Sequence, residues 1–116
     1  MTYATFRKLA LQFDLVDEKP HFNKASFRIK EKIFATLYEL KNQVAIKLPE
    51  IDQSIYCQIR PTFAMPATGA WGKQGWTIFN LEMVSKQIIQ VALPKAYLLV
   101  APIEKSKAWF RSQKNN

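Results

Sequence analysis

The first half of the chain changes from a helical to an alternating pattern of apolar residues. Apolar side chains recur at helical spacing from Tyr3 to Phe13, and Thr2 is placed to cap a helix over about residues 3–13. The polar segment DEKPHFNK indicates a connection. Residues 25–48 then predict three antiparallel strands: the first and third alternate with period two, and the middle run, IFATLYEL, is rich in β-forming residues with apolar side chains in both phases. The turns fall at KEK and at LKNQ, where Asn42 tolerates positive φ. One phase of the strands is apolar: Phe27, Ile29, Val44, Ile46 and Leu48.

The second half predicts two more helices and two short strands. Pro49 suits the first position of a helix that Pro61 would end. The apolar face of this helix would be Ile51, Ile55 and Ile59. TFAM and GWTIFNL indicate strands. A third helix should follow Ser85 as its N-cap, with Pro94 kinking or dividing it. Its apolar stripe would be Ile88, Ala92, Ala96 and Val100.

The resulting order is α-β-β-β-α-β-β-α. Strands grouped between helices are typical of an α+β domain, and 116 residues suit one such domain. We therefore expect one antiparallel sheet with helices on one face and the other face at least partly open.

Charge favours an anionic partner without requiring one. The chain has 17 Lys and Arg against nine Asp and Glu, a net charge of +8. Such a field concentrates polyanions, although it also serves solubility alone. The single cysteine fits a reducing compartment. We read no signal peptide and no segment long enough to span a bilayer, so we expect a cytoplasmic protein with no membrane partner.

Strand alternation places cations on the open face of the predicted sheet. If the apolar phase faces the helices, Arg28, Lys30 and Lys47 point the other way. Either Thr36 and Tyr38 or Ala35 and Leu37 would accompany them. These cations could contact phosphates, or they could simply be solvated.

The segment ATGAWGKQGWTIFNL holds all three glycines and two of the three tryptophans. It is no phosphate-binding loop, because Lys73 is not followed by Ser or Thr. We expect Trp76 to open an apolar strand as a core residue. Trp71, in a glycine turn beside Lys73, would either stack on a base or lie over the sheet edge.

Catalysis has little support in the sequence. A single histidine, His21, excludes a multi-histidine metal site, and we expect it in a loop, bonded to the backbone. Cys57 falls within a packed helix, where a lone cysteine is usually inert. Asp17 and Glu18 would point to opposite sides of an extended segment. We expect no enzymatic activity, no cofactor and no metal.

Four motifs resemble the MmcQ/YjbR-like family of small bacterial proteins: EKPHFNKASFRIKEKIFATL, VAIKLP, KQGWTIFNL and AYLLVAP. The resemblance covers about residues 3–102. It implies an α-β(3)-α-β(2)-α fold similar to that of secretion chaperones, a shape described as a double-wing DNA-binding fold, and no established catalytic residues. The positions similar to the family pattern are His21, Phe27, Lys47, Lys73, Trp76 and Tyr97.

These observations predict a non-enzymatic domain at residues 1–103 with a basic tail at 104–116. It would bind DNA weakly and in a salt-dependent way, through the predicted site residues Arg28, Lys30, Lys47, Trp71 and Lys73. The protein would be a monomer or a weak homodimer. The alternatives are a protein-interaction module that uses a sheet edge or helix face, and a site for a small anion around Lys47 and Lys73.

Overall fold

The computed structural model of the protein describes residues 1–59 and 62–114. It contains five helices and six strands within these ranges. The helices are α1 (Tyr3–Leu11), α2 (Glu50–Ile59), α3 (Gly69–Lys73), α4 (Lys86–Val100) and α5 (Ile103–Lys114), with a 3-10 turn at Glu39–Lys41. The strands are β1 (Asp17–His21), β2 (Lys24–Ile29), β3 (Lys32–Tyr38), β4 (Gln43–Lys47), β5 (Ala64–Pro66) and β6 (Trp76–Asn80).

The strands form one sheet in the order β1-β2-β3-β4-β6-β5, and all neighbours are antiparallel. The predicted α+β class with an open antiparallel sheet is confirmed. Within the described residues the element order departs from the prediction in three places, because β1, α3 and α5 are additional.

Strand β1 replaces the predicted connection. Asp17–His21 pairs with β2 in register, and Pro20 lies opposite Ala25. Proline has no N–H to donate, so a strand can carry it only where its nitrogen faces away from a neighbour. Strand β1 meets this condition because it is an edge strand of the sheet.

The register divides the sheet into a core face and an open face. Directly paired residues share a face, so Phe27, Ala35, Ile46 and Thr77 form one row across four strands. All four are fully buried. The adjacent row lies on the opposite face and runs through Ser26, Thr36, Ala45, Ile78 and Met65. Ser26 is buried, and the other four residues of this row are half-buried or exposed.

A β-bulge thickens the core near the start of β3. Phe27 pairs with Ala35 while Arg28 pairs with Ile33, so Phe34 has no partner across β2. Phe34 and Ala35 are both buried as a result.

Helices α1 and α4 cover the core face through aromatic contacts. Phe6 of α1 meets the ring of Phe27 edge-on, with ring centres 5.6 Å apart. Phe13 stacks on Tyr97 of α4 with ring centres 4.7 Å apart. These contacts fix the helices on one side and leave the other side of the sheet for solvent or a partner.

The predicted cap residues are confirmed. The Thr2 side chain accepts from the Thr5 N–H, and the Ser85 side chain accepts from the Ile88 N–H. Asn42 follows the 3-10 turn with φ 54°, the left-handed conformation expected of it. Helix α4 is not divided at Pro94 and runs on to Val100.

The predicted apolar face of α2 is wrong. Ile51, Ile55 and Ile59 are 70%, 49% and 58% exposed. The helix instead turns Asp52 and Tyr56 inward: Asp52 accepts from Lys95 Nζ at 2.5 Å, and Tyr56 meets Phe79 edge-on. The predicted stop at Pro61 lies outside the described residues.

The segment predicted as a basic tail is largely helix α5, up to Lys114; Asn115 and Asn116 lie outside the described residues. Lys105 bonds Asp14 at 2.9 Å, and Trp109 packs against the core. None of the described helices is long and apolar enough to cross a membrane.

Candidate nucleic-acid interface

The five predicted site residues lie at one end of the sheet. Strands β2 and β4 finish there and β6 begins there, because neighbouring strands are antiparallel. We call this group the basic end. It consists of Arg28, Lys30, Lys47, Trp71 and Lys73.

Parity along the strands places Arg28 and Lys47 on the open face, as predicted. Thr36 of β3 pairs with Ser26 on one side and with Ala45 on the other. Arg28 lies two residues after Ser26, and Lys47 lies two residues after Ala45, so both side chains share the face of Thr36. The companions on β3 are therefore Thr36 and Tyr38. Ala35 and Leu37 are buried on the core face.

Lys30 does not lie on a strand. It occupies the turn between β2 and β3 with φ 55°, and its side chain is exposed. The alternation that predicted its direction stops at Ile29, so Lys30 projects from the rim of the sheet and not from its face.

Arg28 is held down on the open face. Its Nε and Nη2 donate to Ser26 Oγ at 3.1 and 2.6 Å, and Nη1 lies 3.5 Å from a Glu31 carboxylate oxygen. Ser26 Oγ in turn donates to the Lys19 carbonyl at 2.8 Å. Only 12% of the Arg28 side chain is exposed. This guanidinium is therefore mainly structural, bracing β1 against β2.

The three lysines of the basic end differ from Arg28 in their exposure and in their ion pairing. Lys30 and Lys73 are exposed and Lys47 is half-buried. None of them forms an ion pair within residues 1–59 and 62–114. Arg7, Lys95 and Lys105, by contrast, each have a carboxylate partner elsewhere on the molecule.

The glycine segment forms the short helix α3 and not the expected turn. Gln53 of α2 pins this segment to β6, because its Nε2 donates to the carbonyls of Gly72 and Trp76 at 3.0 and 3.1 Å. Leu48 and Gly75 are joined by a backbone bond of 2.9 Å. The backbone that follows Lys73 is thus held against the end of β4, where Lys47 pairs with Trp76.

The two tryptophans have different surroundings. Trp71 is 63% exposed on α3, so its ring is available to a partner. The prediction that Trp76 is a core residue is wrong: it is half-buried, in the same phase as Ile78 on the open side. The core positions of β6 are Thr77 and Phe79, which are both fully buried. The Thr77 hydroxyl is satisfied there because it donates to the Gly75 carbonyl at 3.1 Å.

Sequence reasoning missed a second surface at the opposite end of the sheet. Phe22 is 93% exposed in the β1–β2 turn, and Leu40 is 81% exposed in the β3–β4 connection. The Tyr38 ring lies between them along the sheet, with the Lys24 and Lys41 ammonium groups 5.1 and 5.8 Å from its centre. We call these residues the turn-tip surface: Phe22, Asn23, Lys24, Tyr38, Leu40 and Lys41.

No signal in the sequence marks the turn-tip surface, since the polar pattern of HFNK indicates only a connection. Its lysines add to the charge of the sequence, but their common position at one tyrosine depends on the pairing of β2 with β3 and on the turn that follows β3.

The remaining reactive groups do not converge. His21 ends strand β1 and faces Phe22 edge-on, in place of the predicted loop position. Cys57 is half-buried in α2, and burial raises the pKa of its thiol. The described part of the chain contains no group of three metal-ligating side chains.

A groove of about 1080 Å³ runs between α4, α5 and the end of α1. Two of its lining cations, Lys95 and Lys105, are paired with Asp52 and Asp14. Hydrogen bonds to these carboxylates raise the pKa of both lysines, and the carboxylates offset the two positive charges that an anion in the groove would need.

No protein-family model and no curated protein matches this chain. Among solved structures, it is similar to the crystal structure of Deinococcus radiodurans protein DR2400, which contains the domain DUF419. The TM-score is 0.76 at 17% identity, over 92% of this chain and 86% of that chain. DUF419 is related to the YjbR/MmcQ-like folds. The two proteins share a fold.

Proposed function

We propose that this protein is a non-enzymatic nucleic-acid-binding protein that contacts the phosphate backbone through its basic end. The observation that supports this most directly is the state of the three lysines. Lys30, Lys47 and Lys73 lie at one end of one sheet, free of the carboxylate partners that occupy Arg7, Lys95 and Lys105 within the described residues.

The spacing of the strands suits a backbone contact. Neighbouring strands are about 4.8 Å apart, so β2 and β6 are separated by about 14 Å across three intervals. The lysines are thus spread along a row and do not focus on one point. A row of cations matches the repeated charge of a nucleic-acid backbone better than it matches a small anion.

Flexible lysines also suit a ligand that is recognised without sequence preference. An ammonium group is a point charge on a long stem and can follow a phosphate without a fixed geometry. Arg28 cannot do this, because Ser26 and Glu31 hold its guanidinium. Trp71 supplies an exposed ring beside these charges.

A protein-interaction module remains the second candidate, and one observation favours it. Ile51, Ile55 and Ile59 form an exposed apolar stripe along α2. Such a stripe on a helix is the usual mark of an apolar contact with another protein. Binding through it would depend little on salt, whereas binding through the lysines would fall steeply with salt.

Charge reversal at the basic end tests the proposal. We expect Lys47→Glu and Lys73→Glu each to weaken binding of a labelled duplex and of a labelled single strand. If three lysines each neutralise one phosphate, the logarithm of duplex affinity should fall with that of salt at a slope near −2.7, at about 0.9 per contact. Each reversal should flatten the slope by about 0.9.

Lys107→Glu is the matched control, since Lys107 is exposed on α5 and forms no ion pair in the described structure. It makes the same charge change on helix α5, outside the basic end. Equal losses from Lys107→Glu and Lys47→Glu would show that only diffuse charge acts. An absence of binding at low salt in every form would overturn the proposal and leave α2 as the candidate surface.

A further inference from the structure

We propose that the turn-tip surface binds single-stranded nucleic acid by stacking a base on Phe22. This inference rests on the proposed function and extends it, because it names the strandedness of the ligand and a second contact at the other end of the sheet.

Phe22 is placed as a contact residue and not as a packing residue. Its side chain is the most exposed of the large apolar side chains in the described residues, at 93%. It sits at φ 58°, a conformation that bulky residues rarely adopt and that projects it from the turn. The His21 ring packs against it in a T-shaped pair, with centres 4.9 Å apart, and most of the Phe22 side chain stays exposed.

The neighbouring lysines supply positive charge for the phosphate groups of a nucleotide that stacks on Phe22. Lys24 and Lys41 both lie within 5.8 Å of the centre of the Tyr38 ring, although they come from different strand connections. Asn23 donates to the Tyr38 hydroxyl at 3.1 Å, which fixes the turn beside this ring. An aromatic platform next to two ammonium groups is the arrangement by which proteins hold single strands.

A single strand fits this surface better than a duplex does. Bases in a duplex are already stacked on one another, so an inserted side chain has to unstack them first. One phenylalanine and one leucine offer little area to offset that cost. The bases of a single strand present their faces without it.

A single strand also fits better than a membrane surface. Two apolar side chains beside lysines would suit an anionic bilayer. Insertion, however, would carry the Asn23 amide and the polar backbone of the turn out of water, where their loss of hydration is unfavourable. Stacking on Phe22 leaves these groups solvated.

The turn-tip surface and the basic end can act on one ligand. They lie at opposite ends of strands of five to seven residues, about 17 to 23 Å apart at 3.3 Å per residue. A strand that crosses the open face would meet Phe22 at one end and Lys47 at the other.

The test compares labelled oligothymidine of about 12 nucleotides, within the usual site size of such proteins, with a duplex of the same length. We expect Phe22→Ala to weaken single-strand binding about tenfold and duplex binding less than twofold. Phe22→Trp should retain affinity within about twofold, and oligothymidine should quench its tryptophan emission more than that of the unsubstituted protein, in which Trp71 is already exposed. Phe110→Ala is the control, because Phe110 is a 52% exposed aromatic on α5.

The outcomes separate this inference from the proposed function. If Lys47→Glu weakens binding and Phe22→Ala behaves like Phe110→Ala, the stacking contact is wrong and the basic end stands. If Phe22→Ala weakens single-strand binding and Lys47→Glu does not, the basic end is wrong. Equal losses on duplex and single strand overturn the preference for single strands. Binding of phosphatidylserine vesicles that Phe22→Ala abolishes, without any effect on oligothymidine, assigns the surface to a membrane.

Discussion

Alanine substitution of the three glycines at positions 69, 72 and 75 separates the two reasons for which a glycine is needed. At Gly75 both reasons apply. Its φ is +104°, and an added Cβ would overlap the Leu48 carbonyl oxygen. Leu48 also donates its N–H to the Gly75 carbonyl at 2.9 Å. An alanine there must distort the backbone and push β4 away from β6.

The expected cost follows from these terms. The strained conformation contributes about 1–3 kcal/mol. Weakening the bond to Leu48 contributes about 1 kcal/mol more. We therefore expect Gly75→Ala to lower the free energy of unfolding by about 2–4 kcal/mol. In urea, with a slope of about 1.5 kcal/mol per molar, the midpoint should fall by about 2 M.

The other two glycines serve as controls. Gly69 has φ +62° but open space around an added Cβ, so Gly69→Ala should cost about 1 kcal/mol. At Gly72 an added Cβ would overlap the Ala67 carbonyl without a positive φ, and we expect about 2 kcal/mol. If Gly75→Ala cost no more than Gly69→Ala, the close approach of Gly75 to Leu48 would be wrong.

Two further predictions concern stability alone. Leu15 and Phe22 have φ of 70° and 58°, so Leu15→Gly and Phe22→Gly should each raise the free energy of unfolding by about 0.5–1 kcal/mol; a loss of stability would contradict the left-handed assignment. Burial raises the pKa of Cys57, Tyr56 and Tyr97. Each of these groups has a higher pKa in the folded state than in the unfolded state. Its contribution to stability is therefore fully present below the unfolded-state pKa and is lost as the pH rises through the folded-state pKa. Stability should therefore fall above about pH 9. Cys57→Ala should delay this fall towards about pH 10, and stability that rises across this range in urea melts would contradict it.

The elements predicted correctly are those whose burial follows a simple period. Strand β4 alternates strictly between buried and half-buried residues, and Ser85 begins α4 with a cap that needs no tertiary contact. Helix α2 shows the limit of this reasoning. Its isoleucines recur once per turn, yet the helix is oriented by the pair of Asp52 with Lys95. A half-buried ion pair between distant segments leaves no periodic signal.

The site was predictable to the same extent. The open-face positions of Arg28 and Lys47 followed from strand parity alone. The tethering of Arg28 by Ser26 did not, because it depends on a short side chain lying under the guanidinium. The exposure of Phe22 was equally hidden, since an aromatic residue in a sequence gives no sign of whether a core will cover it.

The prolines in the outer strands limit how this protein can associate. An open sheet has two free edges, and each is a template on which a further strand can form hydrogen bonds. Here one edge is β1, which carries Pro20, and the other is β5, three residues long and ending in Pro66. Neither edge offers a continuous row of N–H groups. The sheet is therefore poorly suited to polymerise or to take up a partner's strand, which leaves its open face, its turns and its helices as the surfaces available for recognition.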